Sequence, residues 1–309
     1  MLRFSGKQAH RRMKRKHPRL FHLTDVLLIL AFMIYVLLDT FVIPRSYTKV
    51  TADTEASAAA EPTDAAVTSN SYTDENISIT ITETTVNDSQ VYVADVTLSD
   101  ISYLKTAFAS STYGKNITDT TSNIAESVNA ILAINGDYYG ARNSGYVVRN
   151  GTVYRTDSAG SDQEDLVIKS DGSFEIITEG SFSSSSLSDS DILQVLSFGP
   201  GLISNGEITV SKNEEVDQAK TSNPRTAIAE ISPLHYLLVT ADGRTSASKG
   251  LTLYQFAEYL QTLGAVTAYN LDGGGSTTMV FNGTVVNQPT TNGKTIQERS
   301  VSDIVYIGY

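Results

Sequence analysis

Seven residues in the C-terminal third, Asn270-Leu271-Asp272-Gly273-Gly274-Gly275-Ser276, carry the strongest chemical signal in the chain. Three glycines after an apolar strand let the backbone turn where no side chain fits. Successive N–H groups of such a turn can form a concave anion site. Asp272 ends the strand, and a hydroxyl, Ser276, follows the turn; an ordinary glycine-rich hairpin loop is the plainer reading. A phosphate-binding P-loop is excluded, because the Lys-Ser/Thr ending is absent. Asn223-Pro224-Arg225-Thr226-Ala227 places an arginine at a proline-fixed turn entering a strand. Its guanidinium could grip phosphate or carboxylate in a bidentate contact, or make a surface salt bridge. Glu298 and Arg299 adjoin just before the last strand; on extended backbone they point to opposite faces, so one of them can face a pocket. Asn135-Gly136-Asp137-Tyr138-Tyr139 sets an amide and a carboxylate beside two tyrosines. That set suits a carbohydrate, through hydrogen bonds to hydroxyls and a ring against a sugar face, but equally a turn with one core tyrosine. His235 opens an apolar strand and reads as structural.

Composition narrows the chemistry. The 309 residues include no cysteine, which removes disulfides, zinc-thiolate sites, iron–sulfur clusters and cysteine nucleophiles together. Of four histidines, His10, His17 and His22 fall within the first 22 residues, which argues against a multi-histidine metal site and a Ser–His–Asp triad. Lys plus Arg is 23 against 34 Asp plus Glu, a formal net charge of −11, so a cationic face for nucleic acid is not expected.

That charge is unevenly spread. Residues 1–22 hold eight basic side chains and no acid, leaving 15 basic against 34 acidic residues, a net −19, for the remainder. The basic block precedes the apolar run Val26–Ile43, long enough nearly to span a hydrocarbon core of roughly 30 Å. The expected organisation is a basic cytoplasmic tail over 1–22, a transmembrane signal-anchor over 23–43, a disordered Thr/Ala/Ser-rich stalk over 44–74 and an extracellular domain over 75–309. A cleaved signal peptide is the competing reading of the apolar run.

The domain must supply the elements that hold these residues. Alternation predicts strands over 77–82 and 90–98, and weaker patterns predict helices over 101–109 and 120–128, the latter capped by Asp119. A short apolar strand, 131–134, runs into Asn135. Hairpins follow at 146–154 and 166–177, turning at Asn150-Gly151 and Asp171-Gly172. A Ser-rich loop covers 180–191, a turn-rich β region 196–210, and strands 226–231 and 236–241. The clearest helix is 252–263, with Leu253, Phe256, Ala257, Leu260 and Leu263 at helical spacing and Gly264 as its stop. A strand over 265–271 delivers Asp272; a hairpin at 279–286 and a strand at 301–307 complete the chain. Strands dominate, so the expected class is a mixed, β-sheet-rich α+β domain.

In order, NGDYYG (135–140), FGPGLISNGE (198–207), NPRTAIA (223–229), VTADGR (239–244), SKGLTLYQFAEYLQTLGAVTAYNLDGGGSTTMV (248–280) and ERSVSDIVYIGY (298–309) resemble the phosphodiester glycosidase family. The likeness covers most of 131–309; Asp137, Ala229 and Ser300 depart from the family's usual residues. It implies hydrolysis of the bond between a sugar's anomeric carbon and a phosphodiester, on exopolysaccharide or cell-wall glycopolymer. The phosphate would then be stabilised by Arg225 and the Gly273, Gly274, Gly275 and Ser276 backbone, with Arg299. Asp272 and Glu298, with Asp137 third, are the expected carboxylates beside the sugar cation, and Asn135 and Tyr138 the residues that hold sugar hydroxyls. No cofactor is required, although carboxylates and carbonyls would suit calcium or magnesium. A non-catalytic binding module for anionic wall polymers and a glycosyl or glycosyl-phosphate transferase are the alternatives.

Overall fold

Side chains in the long strands alternate between two buried faces, and this dictates a layered architecture. Along Ser89–Leu98, Val91 and Val93 point one way and Tyr92, Ala94 and Val96 the other. The same split separates Ala227 and Ala229 from Ile228, and Leu237, Val239 and Ala241 from Tyr236 and Leu238. A sheet apolar on both faces needs cover on both. The computed structural model describes residues 18–50, 64–213 and 222–309. It contains helices α1 (Pro18–Phe41), α2 (Thr121–Ser127) and α3 (Leu253–Thr262).

Nine strands form the main sheet, in the order 207–208, 201–204, 267–271, 225–232, 235–241, 89–98, 77–86, 71–73, 66–67. On one face lies α3, through Leu253, Phe256, Ala257 and Leu260. A capping box starts this helix: Thr252 accepts from the Gln255 N–H, and the Gln255 side chain accepts from the Thr252 N–H. On the other face pack two five-stranded sheets, through Leu132, Ile134, Met279, Phe281 and Val305 from one and Leu166, Ile168 and Leu196 from the other. The first runs in the order 284–285, 279–281, 132–135, 303–307, 104–108; α2 covers its outer side with Ile124 and Ala125. The second runs 152–155, 147–149, 192–196, 164–169, 174–178. Neighbouring strands in all three sheets pair antiparallel.

Several local expectations change. Residues 101–109 are not an α-helix: a single turn, Ile101–Tyr103, leads into strand Leu104–Phe108, which pairs with Asp303–Ile307 and buries Leu104, Thr106 and Phe108. The cap of α2 is Thr120, which accepts from the Asn123 N–H at 3.2 Å, rather than Asp119, which accepts from the Asn123 side chain. The Ser-rich 180–191 contains a short helical turn, Ser184–Ser188, pinned by buried Leu187. The span read as stalk is partly ordered: Arg45–Lys49 pairs with Thr112–Lys115, and Ala66–Val67 and Ser71–Thr73 extend the main sheet. Residues 51–63 of that span, and 1–17 of the basic tail, lie outside the described residues.

Taken by itself, α1 has 24 residues, a length of roughly 36 Å at 1.5 Å per residue. Its window Thr24–Phe41 has a mean hydropathy of 2.0, so by length and composition it can cross a bilayer; a signal sequence meets the same criterion.

Candidate active site

Sheet register brings three chain segments to one end. Arg225 opens its strand opposite Ala241, which closes the next, and Leu271 closes the strand on the other side, opposite Thr226. Pro224, Asp242–Arg244 and Asp272–Gly274 therefore emerge together. The Gly274 N–H donates to the Pro224 carbonyl at 2.9 Å, stitching two of these turns. Gly274 has φ +62°, in the left-handed region that favours glycine, and a Cβ on Gly275 would collide with Thr291 Oγ1.

At the mouth of this turn Asp272, Ser276 and Arg299 meet. Asp272 Oδ2 accepts from Ser276 Oγ at 2.7 Å and from Arg299 Nη2 at 2.9 Å. Arg299 also donates through Nε and Nη2 to Ser276 Oγ, at 2.9 and 2.7 Å, and through Nη2 to the Gly273 carbonyl at 3.2 Å. The Asp272 side chain is 12% exposed and that of Arg299 41%. Burial raises the Asp272 pKa above the ordinary carboxylate value, while the Arg299 charge and the Ser276 hydroxyl oppose the rise. The result is a desolvated carboxylate under a solvent-facing guanidinium.

The other expected residues divide. Glu298 diverges from Arg299: it accepts from the Ser122 N–H at 3.2 Å and from Ser122 Oγ at 2.5 Å, so it caps α2. Asp137 is fully buried and accepts from Arg149 Nη2 and the Ser197 N–H, both at 2.8 Å, and from the Tyr139 N–H at 2.9 Å. Arg149 donates on to Asp303 at 2.8 Å, forming a buried acid–base–acid chain. Asn135 is also enclosed. It donates to the Asp272 carbonyl at 2.6 Å and accepts from Thr226 Oγ1 at 2.8 Å, so it fixes the backbone under Asp272 rather than facing a sugar. Arg225 is 3% exposed and donates through Nε to the Leu251 carbonyl at 3.0 Å. Tyr138, by contrast, is 45% exposed and can meet a ligand. The glycine turn also differs from the expected nest. The Ser276 and Thr277 N–H groups donate to the Gly273 and Gly274 carbonyls, because the turn closes on itself as a short helical coil, and the Gly274 N–H is taken by the Pro224 carbonyl. Gly275 is left as the N–H that could face an anion.

Sequence reasoning passed over Arg244. It sits in VTADGR with φ +65° and is solvent-exposed. Its Nε and Nη2 donate to Asn223 Oδ1 at 3.2 and 3.1 Å, and its Nη1 donates to the Thr291 carbonyl at 2.7 Å. Its guanidinium lies against Gly274, where a Cβ would sit 2.8 Å from Nη2. Burial lowers its pKa, as does the charge of Arg299, while Asp272 raises it, so all three groups share one electrostatic neighbourhood. The available signal was its position at a strand end level with Asp272. Among the described residues, no three or more His, Cys, Asp and Glu side chains gather as metal ligands.

The sequence profile of the phosphodiester glycosidase family matches residues 128–308, more than half the chain. The mouse N-acetylglucosamine-1-phosphodiester alpha-N-acetylglucosaminidase is 32% identical over 159 residues, 47% of this chain and 30% of that protein. The SPbeta prophage-derived uncharacterized protein YomE of Bacillus subtilis (strain 168) is 26% identical over 206 residues, 65% of this chain and 31% of that protein. The chain thus spans about a third of the length of these curated relatives. The catalytic domain of zebrafish N-acetylglucosamine-1-phosphodiester alpha-N-acetylglucosaminidase, auto-inhibited by pro-peptide, superposes with a TM-score of 0.59 at 22% identity. That match covers 75% of this chain and 83% of that one. A hypothetical protein from Synechocystis superposes at 0.51 and 18% identity, over 75% and 62% of the two chains. The matched segment carries the strand, the glycine turn, Asp272, Arg244 and Arg299 together, and the chain belongs to the phosphodiester glycosidase family.

Proposed function

We propose that the folded part hydrolyses the bond between a sugar's anomeric carbon and a phosphodiester, with exopolysaccharide or cell-wall glycopolymer as the substrate class. The observation that carries this reading is the contact of Asp272, Ser276 and Arg299 at the family's glycine turn. When the C1–O bond breaks, its electron pair stays on the phosphate oxygen. That leaving group is stable as an anion, so no strong general acid is needed. What the reaction needs is a cation near the phosphate and a carboxylate near the sugar's oxocarbenium ion. Arg299 supplies the first and Asp272 the second, as base toward water or as nucleophile. Water finally adds its oxygen to C1. Tyr138 offers a ring to the sugar, and Asn135 holds the Asp272 carbonyl from beneath.

In the same reading α1 is an uncleaved signal-anchor that leaves the N-terminus cytoplasmic and the folded part outside. A membrane fraction that releases the protein to detergent but not to high salt supports it; release by salt alone refutes it.

The activity test incubates the full chain, in detergent micelles, with chromogenic sugar-1-phosphodiesters, with and without chelator and with a competing acceptor alcohol. Release of free sugar and a phosphomonoester supports the proposal. Transfer of the sugar to the alcohol in preference to water makes the protein a transferase, and binding without turnover makes it a recognition module. The chelator arm reports any calcium or magnesium requirement.

A further inference from the structure

Arg244 and Arg299 approach the same three-glycine turn from different chain segments. Arg244 lies against Gly274, and Arg299 donates to the Gly273 carbonyl and to Ser276. Each is anchored on part of its fork: Arg244 on Asn223 and Thr291, Arg299 on Ser276 and Asp272. Both residues are solvent-exposed, while Gly274, Gly275 and Ser276 beneath them are buried. The Arg299 hydrogen bonds run through Nε and Nη2, so Nη1 can still donate. Asp272 neutralises only one of the two cations, leaving a net positive mouth on a strongly acidic chain.

We infer that Arg244 and Arg299 form a two-guanidinium subsite matched to a phosphate dianion, with Arg244 as a substrate-contacting residue. This rests on the activity proposed above and deepens it. A phosphodiester carries one negative charge. Cleavage of its C1–O bond leaves the phosphate oxygen with the electron pair, giving a phosphomonoester with a second ionisation at roughly pH 6 and hence a dianion in neutral solution. The second charge develops as the bond breaks. Two guanidiniums then stabilise the transition state more than the substrate, which is the condition for raising kcat. The corollary is that a phosphomonoester binds more tightly than a diester and inhibits as product.

Calorimetry with methyl phosphate and dimethyl phosphate on the full chain in micelles tests this without turnover. At about pH 8 methyl phosphate should bind about tenfold or more tighter, the worth of one further charge-assisted hydrogen bond. At about pH 5 the ratio should shrink, because the monoester takes up its second proton. Both ligands are then largely monoanions, so a proton on Asp272 would strengthen them alike, and the ratio is the reading. Arg244→Gln should abolish the preference. Equal affinities in the wild type at the higher pH overturn the inference, as does a folded Arg244→Gln that keeps the preference; if that variant fails to fold, the wild-type pH comparison decides. Hydrolysis is assayed separately. A protein that shows the preference but no hydrolysis sinks the proposed activity alone, and one that hydrolyses without the preference sinks the dianion subsite alone.

Discussion

Arg299 Nη2 lies 2.9 Å from Asp272 Oδ2 while its Nε and Nη2 hold Ser276 Oγ, so the guanidinium shields the carboxylate and faces outward at once. An arriving phosphate would meet Arg299 before the sugar meets Asp272. Asp272→Asn keeps an acceptor for both partners and should leave the melting temperature near wild type. It should lower kcat for a sugar-1-phosphodiester by roughly 10²–10⁴-fold. Near-wild-type turnover would remove Asp272 from the chemistry.

The pH profile should show the same carboxylate. Burial raises its pKa and Arg299 holds the rise in check. If the ionised form acts, kcat/KM falls as pH drops through that raised value. Arg299→Gln removes the restraining charge, so the acid limb should move to higher pH as well as lose height. A limb that stays in place would dissociate Arg299 from Asp272.

Glu298→Gln is expected to keep most of the turnover. The side chain caps α2 through Ser122, so the substitution should cost about 1 kcal/mol of stability, or roughly 2–4 °C in Tm. Loss of activity in a variant of unchanged Tm would return Glu298 to the reaction.

These contrasts show how far the sequence could be read. The strand–turn around Asp272 was legible because glycine leaves few alternatives to a tight turn, and α3 because its apolar stripe and capping residues agree. The divergence of Glu298 and Arg299 was legible too, but not which one met Asp272, since that depends on α2 packing beside residue 298. Ile101, Leu104 and Phe108 fit a helical stripe, while Leu104, Thr106 and Phe108 fit a strand equally well; pairing with Asp303–Ile307 decides for the strand. Asn135 and Asp137 looked like sugar ligands because nothing local reveals Thr226 or Arg149, the distant partners that enclose them. Arg244 had only its place at a strand end to point to it, because its neighbour Gly274 is thirty residues away.

Gly274→Ala probes that neighbour. The added methyl would sit 2.8 Å from Arg244 Nη2, and φ +62° is unfavourable for alanine by about 1–2 kcal/mol. A folded but less stable protein with weakened methyl phosphate binding is expected from calorimetry and a melting curve. Unaltered binding would mean that the Arg244 fork need not lie where it does.

Away from the site, burial and the charge of Glu179 push the Asp165 carboxyl up to about 9. The folded state keeps a proton that the unfolded chain releases near pH 4, so this group's stabilisation is complete below about pH 4 and declines as pH rises toward about 9. Asp165→Asn should therefore raise Tm more at about pH 8 than at about pH 5, the neutral amide having no charge to desolvate. An equal shift at both values would contradict the burial argument.

Strand Asp303–Ile307 occupies an interior place, between 132–135 and 104–108, and Asp303 receives the Arg149 guanidinium. During synthesis the ribosome releases these residues after every strand they must join. The nascent chain must therefore hold an open slot in that sheet until translation has passed residue 307, a period in which chaperones or proteases compete with folding.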